Sequence, residues 1–157
     1  MNAPRFDYRR FSPEPEQAML ALEKYIASCG LDQKFVHLLK LRASQINGCA
    51  FCIDMHWKDA RAAGESEERL YSLDAWRESP LYEERERAAL ELCEAMTLVA
   101  EGHVPDEVWD RATAAFGEDE RAQLVFGIAA INAWNRLMIT SRTEPGHYQP
   151  GILEAVA

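Results

Sequence analysis

The chain has 157 residues, 48% of them hydrophobic, and 17 Lys and Arg against 26 Asp and Glu give a net charge of −9. This composition excludes a disordered or collagen-like chain and fits a single domain with a sizeable core. The basic residues are scattered and outnumbered, which argues against nucleic acid and anionic membranes as partners.

Residues 1–11 carry charges and no apolar run, so they do not read as a secretory signal. The longest nearly apolar stretch, Leu124 to Trp134, is about half of the roughly twenty residues that cross a bilayer. The expectation is a cytoplasmic protein. In that compartment four cysteines are read as chemistry before they are read as structural cystines.

In chain order, the pattern predicts helices over 15–29, 33–47, 49–63, 84–101, 105–116 and 118–141, with a shorter one near 67–73. Gly30, Gly48, Gly64, Gly102 and Gly117 each follow an amphipathic stretch, as left-handed C-terminal caps do. Asp32 is placed to cap the second helix, and Pro105 suits the first turn of its own. Ser66 caps the short helix, with Glu67 and Glu68 adding negative charge to its first turn. Arg69 stands three residues after Ser66, so this is a simple cap and no capping box.

Within 84–101, Ala89, Leu92, Cys93, Met96 and Ala100 recur at helical spacing and mark a core-facing stripe. The last helix is apolar over much of its circumference, which makes it central to the fold or to an interface. No segment alternates as a strand does. The fold class is all-α, one domain over 1–157, with 1–14 and 144–157 as arms that need a surface to lie on.

The most informative stretch is Cys49-Ala50-Phe51-Cys52-Ile53-Asp54-Met55-His56. On a helix, positions i, i+3 and i+7 share one stripe, so Cys49, Cys52 and His56 face the same way. Two thiols and an imidazole so placed can make a thiolate, oxidise it and trap the product as a disulfide. A thioredoxin-like setting would need a βαβ pattern, and none is present.

Asn47-Gly48 breaks the preceding helix, so Cys49 opens the next, where unpaired amides and the dipole stabilise a thiolate. By position, Cys49 is the more acidic and accessible thiol, while Cys52 lies beneath His56, which can take its proton. Position alone leaves the nucleophile open.

Leu38-Leu39-Lys40-Leu41-Arg42-Ala43-Ser44-Gln45-Ile46-Asn47-Gly48-Cys49-Ala50-Phe51-Cys52-Ile53-Asp54-Met55-His56 resembles the core motif of the carboxymuconolactone decarboxylase superfamily, in its alkylhydroperoxidase AhpD-like branch. Ile131-Asn132-Ala133-Trp134-Asn135-Arg136-Leu137 resembles a hallmark of one subgroup of that branch. The likeness runs from about Phe11 to Tyr148. It implies a compact all-helical AhpD-like fold of six or seven helices, assembled as a homo-oligomer such as a trimer or hexamer.

It also implies a peroxidase with no cofactor and no metal, acting on a small hydroperoxide and reduced by a thiol or a redox partner protein. Carried over by motif position, Cys52 is peroxidatic, Cys49 resolving, and His56 the general base. Two positions depart from the pattern. His37 stands where the peroxidase has a relay glutamate, and an imidazole cannot supply that carboxylate's negative charge. Phe51 stands where it has a histidine.

The expected activity is thus a thiol-dependent alkylhydroperoxidase or disulfide reductase with catalytic Cys49, Cys52, His56 and His37. The alternatives are a redox-sensing or adaptor oligomer with a switchable disulfide, and a cofactor-independent decarboxylase or lyase, although the decarboxylases lack the cysteine pair. A zinc site would need His37 or His103 beside the cysteines, and the sequence does not bring them there. Cys29 and Cys93 read as structural. Trp57 and Tyr82 read as core, Asp54 and Lys58 as an exposed helix pair, and Arg136 as an interface or structural residue.

Overall fold

The computed structural model describes residues 4–11 and 13–151. Every regular element among them is helical. They are α1 (Tyr8–Phe11), α2 (Pro13–Ser28), α3 (Gln33–Asn47), α4 (Ala50–Ala62), α5 (Glu67–Tyr71), α6 (Glu84–Thr97), α7 (Val99–Gly102), α8 (Asp106–Ala115) and α9 (Glu118–Ser141), with a 3₁₀ turn at Leu73–Ala75. The seven predicted helices are all present, joined by one-turn pieces at α1 and α7. No described helix is long and apolar enough to cross a membrane.

α3 is the hub: it packs against α4, α6 and α9. Its Val36, Leu38, Leu39, Leu41 and Ala43 are buried, as are Leu90, Leu92 and Cys93 of α6 and Leu124, Ile128 and Ile131 of α9. The outward side of α9 still shows Phe126 and Ile139, both about half exposed. The last helix is thus central on one side and open on the other.

The caps explain most helix ends. Asp32 Oδ1 accepts from the Lys34 amide and Ser66 Oγ from the Arg69 amide, as the sequence implied. Gly30, Gly48 and Gly64 take positive φ, but Gly102 and Gly117 do not. Gly117 opens α9 instead, with extended backbone at φ −64° and ψ 167°. There its amide donates to the Glu120 carboxylate, 3.2 Å away.

The predicted helix 84–101 breaks at Leu98, and His103, rather than Gly102, takes the positive φ (57°) after α7, with ψ −152° in place of a left-handed cap. The stripe follows the break: Ala89, Leu92 and Cys93 are buried, while Ala100 beyond it is exposed. Thr97 is held inward at that point, its hydroxyl accepting from Asn132 Nδ2 at 3.1 Å.

The N-terminal arm ends sooner than expected. Pro13 and Glu14 already belong to α2, since proline is tolerated in a first helical turn and acidic side chains suit it. Arg5 N donates to Ser141 O at 3.0 Å, and residues 146–148 lie on α4. Residues 1–3, 12 and 152–157 of the predicted arms lie outside the described residues.

Candidate active site

The corner between α3 and α4 is built from backbone chemistry. Gly48 turns left-handed at φ 68° and ψ 31°, a conformation that costs most other residues steric strain. The Gly48 amide then reaches Gln45 O at 3.2 Å and the Cys49 amide reaches Ser44 O at 3.0 Å. These two bonds close α3 as a Schellman motif. The next residue to need a role is Cys49, and it becomes the N-cap of α4, its sulfur accepting from the Cys52 amide at 3.4 Å.

Cys49 and Cys52 are joined as a disulfide, with their α-carbons 5.3 Å apart, inside the range cystines require. Both residues are buried at 1% exposure. Position at a helix start had suggested that Cys49 would be the more accessible thiol. It is not: Cys49 is as buried as Cys52, and both belong to the hydrophobic core.

That network is made of amides. Asn47 Nδ2 donates to Asn132 Oδ1 at 2.9 Å and to Asn135 Oδ1 at 2.8 Å. Asn135 Nδ2 donates to Ser44 Oγ at 3.0 Å, and Ser44 Oγ to Lys40 O at 2.7 Å. Arg136 donates to the carbonyl of Asn132 at 2.8 Å and to its Oδ1 at 3.2 Å. The Asn132–Asn135–Arg136 motif thus ties α9 to the residue just before the dithiol turn. Its role is to hold the corner, and Asn135, fully buried, has partners on both sides of its amide.

One turn beyond Cys52 on α4, His56 is buried at 4% exposure. His37, from the middle of α3, meets it with ring centroids 5.7 Å apart. The crossing of α3 and α4 therefore brings the two imidazoles together. Asp59 lies one turn after His56 and completes the cluster: its Oδ2 is 3.9 Å from Nδ1 of both rings. Tyr148 from the C-terminal segment donates its hydroxyl to Asp59 Oδ1 at 2.7 Å.

Burial holds the imidazoles neutral. His37 is drawn down to about 4, first by desolvation and then by the charge of Lys40. His56 is lowered well below its ordinary range by burial, then by Lys40 and His37. Lys40 is itself buried and paired with Glu23 of α2. The Nδ1 atoms of both histidines are buried without a hydrogen-bond partner. Two neutral imidazoles beside a carboxyl group can pass a proton, and they are also the donor set that could hold a metal.

Other expectations fall into place around this cluster. Asp54 and Lys58 do pair, at 2.9 Å, but they are not simply an exposed helix pair. Lys58 Nζ also donates to Tyr148 O at 3.1 Å, and Asp54 Oδ2 accepts from the Gly146 amide at 3.0 Å. Together they clamp the C-terminal segment onto α4. Tyr82 is core, Trp57 packs partly buried against the core as a whole, and Cys29 is part-buried. Cys93 is fully buried, its thiol pushed up to about 12 chiefly by desolvation, so it is inert. His103 stands exposed after α7.

The sequence reading missed Asp59 and Tyr148. The i, i+3 spacing of His56 and Asp59 was available as a signal. Tyr148 was not, since it acts across 89 positions of chain.

Known proteins share the sequence pattern and the fold. Residues 13–95 match the carboxymuconolactone decarboxylase family. An uncharacterised protein of Bacillus subtilis, YdfG, is 44% identical over 135 residues, covering 86% of this chain and 92% of its own. The structure of a protein of unknown function from Agrobacterium tumefaciens, named as a candidate antioxidant defence protein AhpD, superposes with a TM-score of 0.89 at 44% identity. That match covers 93% of this chain and all of the other. An uncharacterised peroxidase-related protein from Silicibacter shares the fold, with a TM-score of 0.77 at 18% identity over 91% of this chain and 76% of its own. The chain belongs to the carboxymuconolactone decarboxylase family and has an AhpD-like fold.

Proposed function

We propose that the protein is a thiol-dependent hydroperoxide reductase that cycles the Cys49–Cys52 pair. The observation that carries this reading is a Cys-x-x-Cys disulfide at the start of α4, with buried His56 and half-buried Asp59 further along that helix and His37 of α3 packed against them. The relative from Agrobacterium, by its name, points the same way.

In the reduced protein, neutral His56 takes the Cys52 proton, and the thiolate attacks the terminal oxygen of ROOH. The O–O bond breaks, Cys52 becomes a sulfenic acid, and the departing RO⁻ takes up the proton to leave as ROH. The Cys49 sulfur then attacks the sulfenic sulfur, forming the disulfide and releasing water. An external dithiol returns two electrons and two protons. The Cys52 amide, already bonded to the Cys49 sulfur, stabilises negative charge there when the disulfide opens.

His56 can accept a proton on one ring nitrogen only while the other carries its own. Asp59 supplies the negative charge that favours this tautomer, and it takes the part of the relay glutamate that His37 replaces. The reading includes a homo-oligomer, for which exposed Phe126 and Ile139, at separate points along α9, are apolar contacts on offer. Light scattering in solution gives the assembly size directly.

One observation favours a second reading. Both sulfurs are almost completely buried, as suits a stored disulfide that signals oxidation and does not turn over. Peroxide consumption in excess dithiothreitol, with mass spectrometry of the thiols, separates the two. Catalytic consumption abolished by Cys52→Ser is expected of the reductase, while Cys49→Ser leaves a Cys52 that oxidises once and stops. A disulfide that forms without turnover supports the sensor. Thiols that stay reduced under excess peroxide overturn both readings.

A further inference from the structure

We propose that His37, His56 and Asp59 form a binding site for one divalent transition-metal cation of the Zn²⁺ or Co²⁺ class. One ligand atom from each lies within 4.8 Å of the others. Around a cation with bonds of about 2.0–2.1 Å, tetrahedral ligand atoms stand roughly 3.3 Å apart. The cluster has to contract by about an ångström, within the reach of side-chain rotation.

An independent observation says that the cluster wants a partner. Nδ1 of His37 and Nδ1 of His56 are both buried with no hydrogen bond. Such an orphan is disfavoured in a native core unless something satisfies it. Both nitrogens face the same carboxyl oxygen, Asp59 Oδ2, at 3.9 Å. A cation placed among the three would satisfy all of them together.

The surroundings suit such a site. Tyr148 donates to Asp59 Oδ1 at 2.7 Å and so turns Oδ2 toward the imidazoles, the orienting contact that metal-bound carboxylates commonly have. Lys40, whose positive charge reaches both rings, is partly offset by its pairing with Glu23. Two imidazoles and one carboxylate select zinc, cobalt, nickel or iron over calcium and magnesium, which prefer all-oxygen shells. Three protein ligands leave a position open to water or a small anion, unlike the closed shell of a structural zinc.

The sequence had suggested zinc only through the cysteines. The structure assigns a site that does not use them.

Occupancy has a consequence that rests on the peroxidase reading. A cation on His56 Nδ1 places the remaining ring proton on the other nitrogen, so His56 can no longer accept the proton of Cys52. The cation would switch turnover off.

The test uses the disulfide-oxidised protein, in which neither thiolate can act as a ligand. After chelator treatment it is titrated with Co²⁺ followed by visible absorption, and with Zn²⁺ by calorimetry. One cation per chain is expected, with d–d bands and no thiolate-to-cobalt charge transfer. His37→Gln and Asp59→Asn each weaken binding at least ~10-fold, while replacement of the exposed His147 by Gln leaves it unchanged. Absence of saturable binding overturns the site, as does binding that both substitutions leave intact or that requires reduced thiols. Peroxide turnover is measured separately with and without saturating Zn²⁺. An inactive protein that binds one cation removes the peroxidase reading and keeps the site, whereas an active protein that binds none does the reverse.

Discussion

The two ends of the candidate site are built on opposite terms. At the dithiol end, each of the polar side chains that hold the corner has partners: Asn47, Asn132, Asn135 and Ser44 bond one another across α3 and α9. One turn along α4, two imidazole nitrogens are buried with no hydrogen bond at all. A satisfied network fixes geometry, and an unsatisfied one leaves room for a group that comes and goes. The contrast separates a rigid frame for the sulfurs from a receptive cluster for a proton or a cation.

The largest test bears on the receptive end. His37 titrates at about 4 in the folded chain, against about 6.5 for an unfolded histidine. Between those values the unfolded chain binds a proton that the native state does not, so stability falls as pH drops from about 6.5 to 4. The contribution is absent above about pH 7 and fully expressed, at about 3 kcal/mol, below the folded value. His56 acts in the same direction, while Asp59 and Lys40 are the charged groups facing both rings. Urea midpoints across this window are expected to be flatter for His37→Gln than for wild type, and equal slopes would remove the claim that this ring is held neutral.

Asn135→Ala attacks the rigid end. It strands Asn47 and Ser44 in the core, and a loss of about 2–3 kcal/mol is expected, or roughly 5–10 °C in Tm. Thermal unfolding followed by circular dichroism reads this, and a shift under two degrees would show that the amide network is dispensable.

Asp59→Asn keeps shape and removes charge. A 10- to 100-fold fall in peroxide turnover is expected, with Tm nearly unchanged. A large fall in Tm with unaltered turnover would make Asp59 structural. Tyr148→Phe is the mildest change: it deletes one hydrogen bond, worth about 1 kcal/mol, and should lower turnover only several-fold.

The same division tells how much the sequence revealed. The dithiol end was legible because its logic is local. Gly48 at a helix break, Cys49 and Cys52 three apart, and His56 four further on are all short-range signals. Helix positions followed equally well from caps such as Asp32 and Ser66. Failures occurred where distant residues decide. Cys49 is buried in a core drawn from several helices, the break at Leu98 coincides with a bond from Asn132, and the role of Lys58 depends on a segment about ninety positions away. His37 was named by motif position, yet its partner Asp59 emerges only when α3 crosses α4.

The clasp from Asn132 and Asn135 to Asn47 spans 85 and 88 positions, whereas the corner it secures is one contiguous helical hairpin. Local contacts form early and distant ones late. During synthesis the hairpin bearing both thiols therefore emerges well before α9 exists. A nascent chain ending at residue 117 holds both cysteines but lacks the clasp from Asn132 and Asn135, so the frame of the dithiol is completed only when the last helix arrives.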